Sequence, residues 1–274
     1  MQQPVPLSAN WNLDQIPWSA IQADHVRQRE DVFYLVAAAS FIEITSELYT
    51  DNLTQRFADD ETVTAWLHDH WQKEETRHGR VLRTYVEQVW PEFDWPQAYR
   101  AFVADYSQLC TMEQLEPTRG LELVARCVVE TGTATFYQAL AACADEPVLV
   151  GLALQIRAEE IDHYKHFFRY FRQYRQGEQT SRLQVMAALK RRALEARRGD
   201  AECALWHVYS VRQGLARANR ADFKALSRRL LQQIQAHYPI EMAAKMLLRP
   251  LDLPAGVSHA LQGPLSHATR WMLR

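Results

Sequence analysis

Cysteine is scarce and scattered in this sequence. The four in 274 residues (Cys110, Cys127, Cys143 and Cys203) stand far apart and form no C-x-x-C pair. That excludes a zinc knuckle or a disulfide framework and suits buried thiols in a reducing compartment. Charge of one sign is lacking as well. With 33 acids against 31 bases the net charge is −2, so a strongly basic nucleic-acid binder is excluded as the default and no nucleic-acid partner is expected. Long apolar runs are missing: the nearly unbroken apolar stretch Val32 to Ile42 is too short to span a bilayer. Met1-Gln2-Gln3-Pro4 has neither the basic start nor the apolar run of a signal peptide. A cytoplasmic protein without a membrane partner is the expectation. No convincing alternating strand or Asn-Gly hairpin occurs, which argues against a β fold.

What remains is a composition of 47% hydrophobic and 23% charged residues, that of a globular chain rather than a disordered one. The length allows one large domain or a core with an appendage. Prolines cluster near the start, at Pro91 and Pro96, at Pro117, at Pro147 and near the end. The proline-free intervals between them read as helices, with apolar positions recurring at three and four. Four long ones are expected, from Ala23 to about Phe57, Asp60 to Trp90, Thr118 to Ala144 and Pro147 to about Gln176. Asp60 suits a helix start, and Pro147 suits a first turn after Asp145. Two more long helices, about Ser181 to Arg198 and Ala221 to His237, and several shorter ones fill the remainder. The expected fold is all-α: a four-helix bundle with a crossover between its halves and additional C-terminal helices. Its expected divisions are an N-terminal extension (1–22), the bundle (23–176) and a C-terminal helical extension (177–274), packed on the bundle or at a dimer interface.

Of the ten histidines, only His78 and His163 have a glutamate three residues earlier, in Glu75-Thr76-Arg77-His78 and Glu160-Ile161-Asp162-His163. On a helix that spacing sets the two side chains about 60° apart and one turn along, so both reach one ion. Upstream of each pair a glutamate sits in an apolar helix: Glu43 precedes Glu75 by 32 residues, and Glu130 precedes Glu160 by 30. Each interval lets a helix run out, turn and come back level. An unpaired carboxylate buried there would cost several kcal/mol or be neutralised, so each needs a partner. Four glutamates and two histidines converging in a bundle form the ligand set of a di-iron or di-manganese carboxylate site.

Trp71-Gln72-Lys73-Glu74-Glu75-Thr76-Arg77-His78-Gly79 resembles the W-x-x-E-E-N-R-H-G segment of the soluble acyl-carrier-protein desaturases, with threonine in place of asparagine. Glu130-Thr131-Gly132-Thr133-Ala134-Thr135-Phe136 is similar to that family's E-R-A-T-F stretch, and Ala158-Glu159-Glu160-Ile161-Asp162-His163 to its A-D-E-K-R-H. Glu43, with Tyr49 six residues on, fits the first ligand helix. The resemblance covers roughly Val32 to Phe171 and implies a ferritin-like bundle. It implies metal ligands Glu43, Glu75, His78, Glu130, Glu160 and His163 for two iron ions, with manganese as the other candidate. Glu43 and Glu130 would each cap one metal, and Glu75 and Glu160 would bridge. Glu74 and Glu159 stand where the family places acids behind the histidines. Glu159 replaces an aspartate, and Asp162 replaces an arginine, which changes the charge there. Thr133, one turn after Glu130, is implied as a proton relay beside the oxygen-binding face; the alternative is back-bonding to its own helix. Trp71, on the face of Glu75, either aids electron delivery or fills the core, and the aromatic run from Tyr164 to Tyr174 suits helix packing.

Gly177 to Leu230 holds twelve bases and five acids, a net of +7. Such a face steers an acidic partner or is merely solvated. The resemblance implies acyl carrier protein as that partner, a ferredoxin-like electron donor, and desaturation or hydroxylation of a carrier-bound acyl chain. A homodimer is the expected assembly. Two other readings stay open: a di-iron oxygenase of small molecules, and a ferritin-like iron-binding or storage protein. Related arylamine N-oxygenases carry an extra histidine where this chain has Ile156, which counts against that subgroup.

Overall fold

The computed structural model describes residues 11–195 and 199–254, with 256, 257, 260 and 263. Its α-helices are α1 (Ala23–Val26), α2 (Glu30–Ile44), α3 (Ser46–Arg56), α4 (Glu61–Trp66), α5 (Gln72–Val89), α6 (Trp95–Tyr106), α7 (Arg119–Cys143), α8 (Pro147–Glu178), α9 (Arg182–Glu195), α10 (Asp200–Gln213), α11 (Arg220–His237) and α12 (Ile240–Leu248). No strand occurs among the described residues, so the chain is all-α.

Side-chain caps open several of the helices. Asp60 accepts from the Val63 amide at 3.1 Å and opens α4, and Thr118 accepts from Leu121 at 3.3 Å and opens α7. These side chains satisfy amides that have no intrahelical acceptor. At α8 the cap is Glu146, which accepts from the Val148 and Leu149 amides at 3.1 and 2.8 Å ahead of Pro147. Asp145 instead pairs with His25 and Arg29, at 2.9 and 3.0 Å.

The first two expected helices are interrupted. The first breaks into α1, α2 and α3, and its second break falls at Thr45, whose hydroxyl donates to the Phe41 and Ile42 carbonyls at 3.0 and 2.8 Å. Between α4 and α5 the chain makes one turn of π-helix, Leu67–Trp71. The wider turn leaves His68, Asp69 and His70 exposed while Leu67 and Trp71 both stay inside.

From Val32 to Phe41 every residue of α2 is buried and all but Ser40 are apolar, as an enclosed helix segment must be. It belongs to Glu30–Arg56, the described stretch long and apolar enough to cross a membrane, and 72% of that window is buried in the fold. Two helix pairings dominate, α7 with α8 and α2 with α5. α7 and α8 run antiparallel because only three residues join them. α2 and α5 are also antiparallel. The ring of Phe33, near the start of α2, meets Trp90 at the end of α5 at 5.2 Å, whereas Ile44 ends α2 beside Gly79. The approach there is close: a Cβ on Gly79 would lie 2.3 Å from Ile44 Cγ1 and 2.6 Å from its backbone nitrogen.

The flanking segments belong to the same core. Trp11 and Ile16, in the expected N-terminal extension, are buried in it. Among the C-terminal helices, α9, α11 and α12 pack on α7, and α10 packs on α2 and α6. Helix α8 runs on to Glu178, past the expected bundle limit at 176.

Candidate metal centre

All six expected ligands are buried and face one another from four helices: Glu43 on α2, Glu75 and His78 on α5, Glu130 on α7, Glu160 and His163 on α8. They form two overlapping groups able to hold a metal ion, Glu43-Glu75-His78-Glu160 and Glu75-Glu130-Glu160-His163, with the donor atoms of each within 4.8 Å of one another. Glu75 and Glu160 belong to both. Each histidine turns Nδ1 inward: His78 Nδ1 lies 3.1 Å from Glu160 Oε1, and His163 Nδ1 lies 3.1 Å from Glu75 Oε1. Both Nδ1 atoms and Glu160 Oε1 are buried without a hydrogen-bond partner. Buried polar atoms are seldom left so. Inward-facing, unsatisfied nitrogen and oxygen donors among carboxylates are able to hold a metal ion.

The electrostatics of the metal-free cluster agree. Burial, and then the Glu160 charge, hold Glu43 above the usual carboxyl range and Glu75 well above it. Burial likewise pushes Glu130 up to about 8. For Glu160 burial acts the same way, but His163 and His78 overcome it and hold this carboxylate well below its usual range. Burial opposes charge on the imidazoles too. Contacts with Glu159 and Glu160 nevertheless raise His78 to about 9, and contacts with Glu130 and Glu160 raise His163 well above its ordinary value. Without metal the cluster therefore stores protons, and a bound ion must displace them.

Behind the ligands, the acids are crossed between helices. Glu74 on α5 faces His163 Nε2 of α8 at 2.9 Å, and Glu159 on α8 faces His78 Nε2 of α5 at 2.6 Å. An ionised carboxylate only accepts, so each holds a proton on Nε2 and directs the Nδ1 side at the cluster. Arg77 donates to Glu159 at 2.8 Å and to Glu74 at 3.5 Å, tying the two together. Trp11 Nε1 donates to the other Glu159 oxygen at 2.7 Å, and its ring is parallel to that of His78 at 6.4 Å. Tyr137 donates to Glu43. Arg77, Trp11 and Tyr137 were not among the residues singled out from sequence. Tyr137 alone left a local signal, standing seven residues after Glu130 on the same helical face.

The remaining expected positions divide. Thr133 Oγ1 lies 2.8 Å from Glu160 Oε2 and also within 3.2 and 3.3 Å of the Glu130 and Val129 carbonyls. It is partly exposed, so it connects the carboxylate common to both groups with the outside. Trp71 both fills the core and donates to Glu130 at 3.2 Å. Asp162 is placed otherwise than expected. Expected to change the charge behind the cluster, it lies on the outer flank of α8, 64% exposed, and its carboxylate pairs with Lys165 at 2.7 Å. Arg77 is the charged partner of Glu159.

The basic C-terminal segment spends much of its charge internally. Arg182 donates to the Leu251 and Asp252 carbonyls, Arg191 pairs with Glu116, and Arg212 pairs with Glu92. Arg197 and Arg198 lie outside the described residues. The four cysteines are free thiols, but only Cys127 is fully buried; the other three are partly exposed. The chain matches no protein-family model and no curated protein.

Proposed function

We propose that α2, α5, α7 and α8 form a ferritin-like four-helix bundle around a non-haem di-iron centre, and that the protein is an O₂-activating oxidoreductase like the acyl-carrier-protein desaturases. The observation that carries this is the sharing of Glu75 and Glu160 between two buried donor groups, each with one inward Nδ1. Iron bound there would supply the redox chemistry and oxygen activation, with manganese the alternative metal for the same donors. The chain's own contribution is placement. Glu74 and Glu159 orient the histidines, Tyr137 holds Glu43, and Thr133 keeps a hydroxyl proton beside Glu160 on the partly exposed side. Trp11, Glu159 and His78 make a continuous hydrogen-bonded chain toward the cluster, along which a ferredoxin-like donor could supply electrons.

The proposed substrate, an acyl chain on its carrier protein, rests on the family resemblance. Exposed bases left unpaired in the C-terminal segment would meet the acidic carrier, and a second copy of the chain is the proposed assembly partner. The decisive experiment is anaerobic loading with ferrous iron, followed by air, iron analysis and Mössbauer spectroscopy. Iron should saturate at about two per chain, with antiferromagnetically coupled ferric signals that a Glu75→Ala, His78→Ala variant loses. Iron rising far beyond that level supports storage instead, and substantially less iron removes the di-iron reading. Capture by immobilised acyl carrier protein separates the desaturase reading from an oxygenase of free small molecules.

A further inference from the structure

An open cleft of about 300 Å³ lies over the face shared by α5 and α8, and its lining includes His70, Glu74, Glu159, Asp162, His163 and His166. We propose that this cleft is the route by which divalent metal ions reach the buried centre; the inference rests on the metal-site reading above. The wall between cleft and cluster is one side chain thick. His163 lines the cleft, yet its Nδ1 lies 3.1 Å from Glu75 and has no hydrogen-bond partner. Two of the three cleft acids reach the cluster histidines from behind, Glu74 at His163 Nε2 and Glu159 at His78 Nε2. Because Glu43, Glu75, Glu130 and Glu160 are all buried, an ion cannot arrive from solvent unless some side chain yields. Glu74 is suited to do so: its side chain is 28% exposed, and its arginine contact is long, 3.5 Å to Arg77.

The outer part of the cleft offers the same donor chemistry as the centre in a solvated form. Asp162 is exposed, and His166 uses Nδ1 on the Asp162 carbonyl at 3.1 Å and stacks on Trp66 at 4.9 Å. With His70 these groups offer imidazole nitrogen and carboxylate oxygen to an ion still carrying most of its water. Transfer then runs inward by exchange of water for Glu74 and then for the carboxylates and imidazoles of the cluster. Two cations oppose the approach: Arg77, held by Glu159 and Glu74, and Lys165, held by Asp162 at 2.7 Å. None of the outer groups belongs to either donor group of the centre.

The test is stopped-flow uptake of Co²⁺ by the metal-free full chain, followed by the visible absorption of bound cobalt. An Asp162→Asn, His166→Ala variant should take up cobalt roughly threefold or more slowly, and Lys165→Gln should take it up faster, with final stoichiometry unchanged in both. Unchanged rates in both variants overturn the route and leave the metal centre standing. A lowered final stoichiometry in the double variant also overturns it, because those residues would then be retaining ions. Failure of the unaltered chain to bind any cobalt overturns the route and the metal-site reading together.

Discussion

Metal-free protein should lose stability as pH rises from about 5 to 9, and metal loading should abolish that loss. Burial raises the pKa of Glu43, Glu75 and Glu130, so folding takes up protons on them. Their stabilising protonation is fully present below the ordinary value of 4.5 and is lost as pH rises through the folded value, about 8 for Glu130. His78 acts in the same direction. Its contribution is present below 6.5 and is lost as pH rises through about 9. At about 1.4 kcal/mol per pKa unit, each of these two groups corresponds to roughly 3–5 kcal/mol. Both interact with Glu160, so the contributions overlap, and a combined loss on the order of 4 kcal/mol is the reasonable expectation. That is a large fraction of the 5–15 kcal/mol typical of a whole protein and corresponds to a fall in melting temperature of about 10 °C. Glu159 works at the other end: held down to about 2, it stabilises above 4.5 and ceases to as pH falls through its folded value. The metal-free optimum should therefore lie near pH 5. Thermal unfolding followed by circular dichroism, in chelator-treated and cobalt-loaded samples across the pH range, reads this directly. A metal-free melting temperature that is flat or rising from pH 5 to 9 would refute the reasoning.

Glu74→Gln and Glu159→Gln should each weaken cobalt binding about 10- to 100-fold by releasing the orientation of one histidine; competition against a coloured chelator measures this, and unchanged affinity would show that the crossed contacts do not position ligands. Gly79→Ala should cost roughly 1–3 kcal/mol in denaturant unfolding, because the new methyl meets the Ile44 backbone, 2.6 Å away, as well as its side chain. A neutral result would mean that α2 and α5 separate freely. Trp11→Phe keeps the aromatic packing but removes the donor to Glu159 at 2.7 Å, and a loss of about 1.5–3 kcal/mol is expected. If unfolding is unaltered, Trp11 contributes packing alone.

The six clustered residues could be read from the chain because helical geometry is local. A spacing of three residues puts Glu75 with His78, and Glu160 with His163, whatever surrounds them. The glutamates at Glu43 and Glu130 were legible for another reason: an apolar helix does not bury a carboxylate without a partner. Local patterns said less about interruptions. The π-turn at Leu67–Trp71 was invisible because its one extra residue is absorbed on the solvent side, at His68 to His70. Helices α6 and α10 fell within stretches where only short helices were expected, and no chemistry-bearing pattern marked them.

The sequence by itself determined the helical class, the long helices α7 and α8, the start at Asp60, and which carboxylates and imidazoles share a helix face, since all of these follow from contacts within a few turns of chain. Tertiary structure alone decided which acid stands behind which histidine. Glu74 and His163 are 89 residues apart, Glu159 and His78 are 81, and Trp11 and Glu159 are 148. It also turned Asp162 outward to Lys165 and put Arg77 beside Glu159 in its place. Those choices depend on the relative rotation and depth of α5 against α8, which packing across the whole core sets and no spacing along one helix encodes.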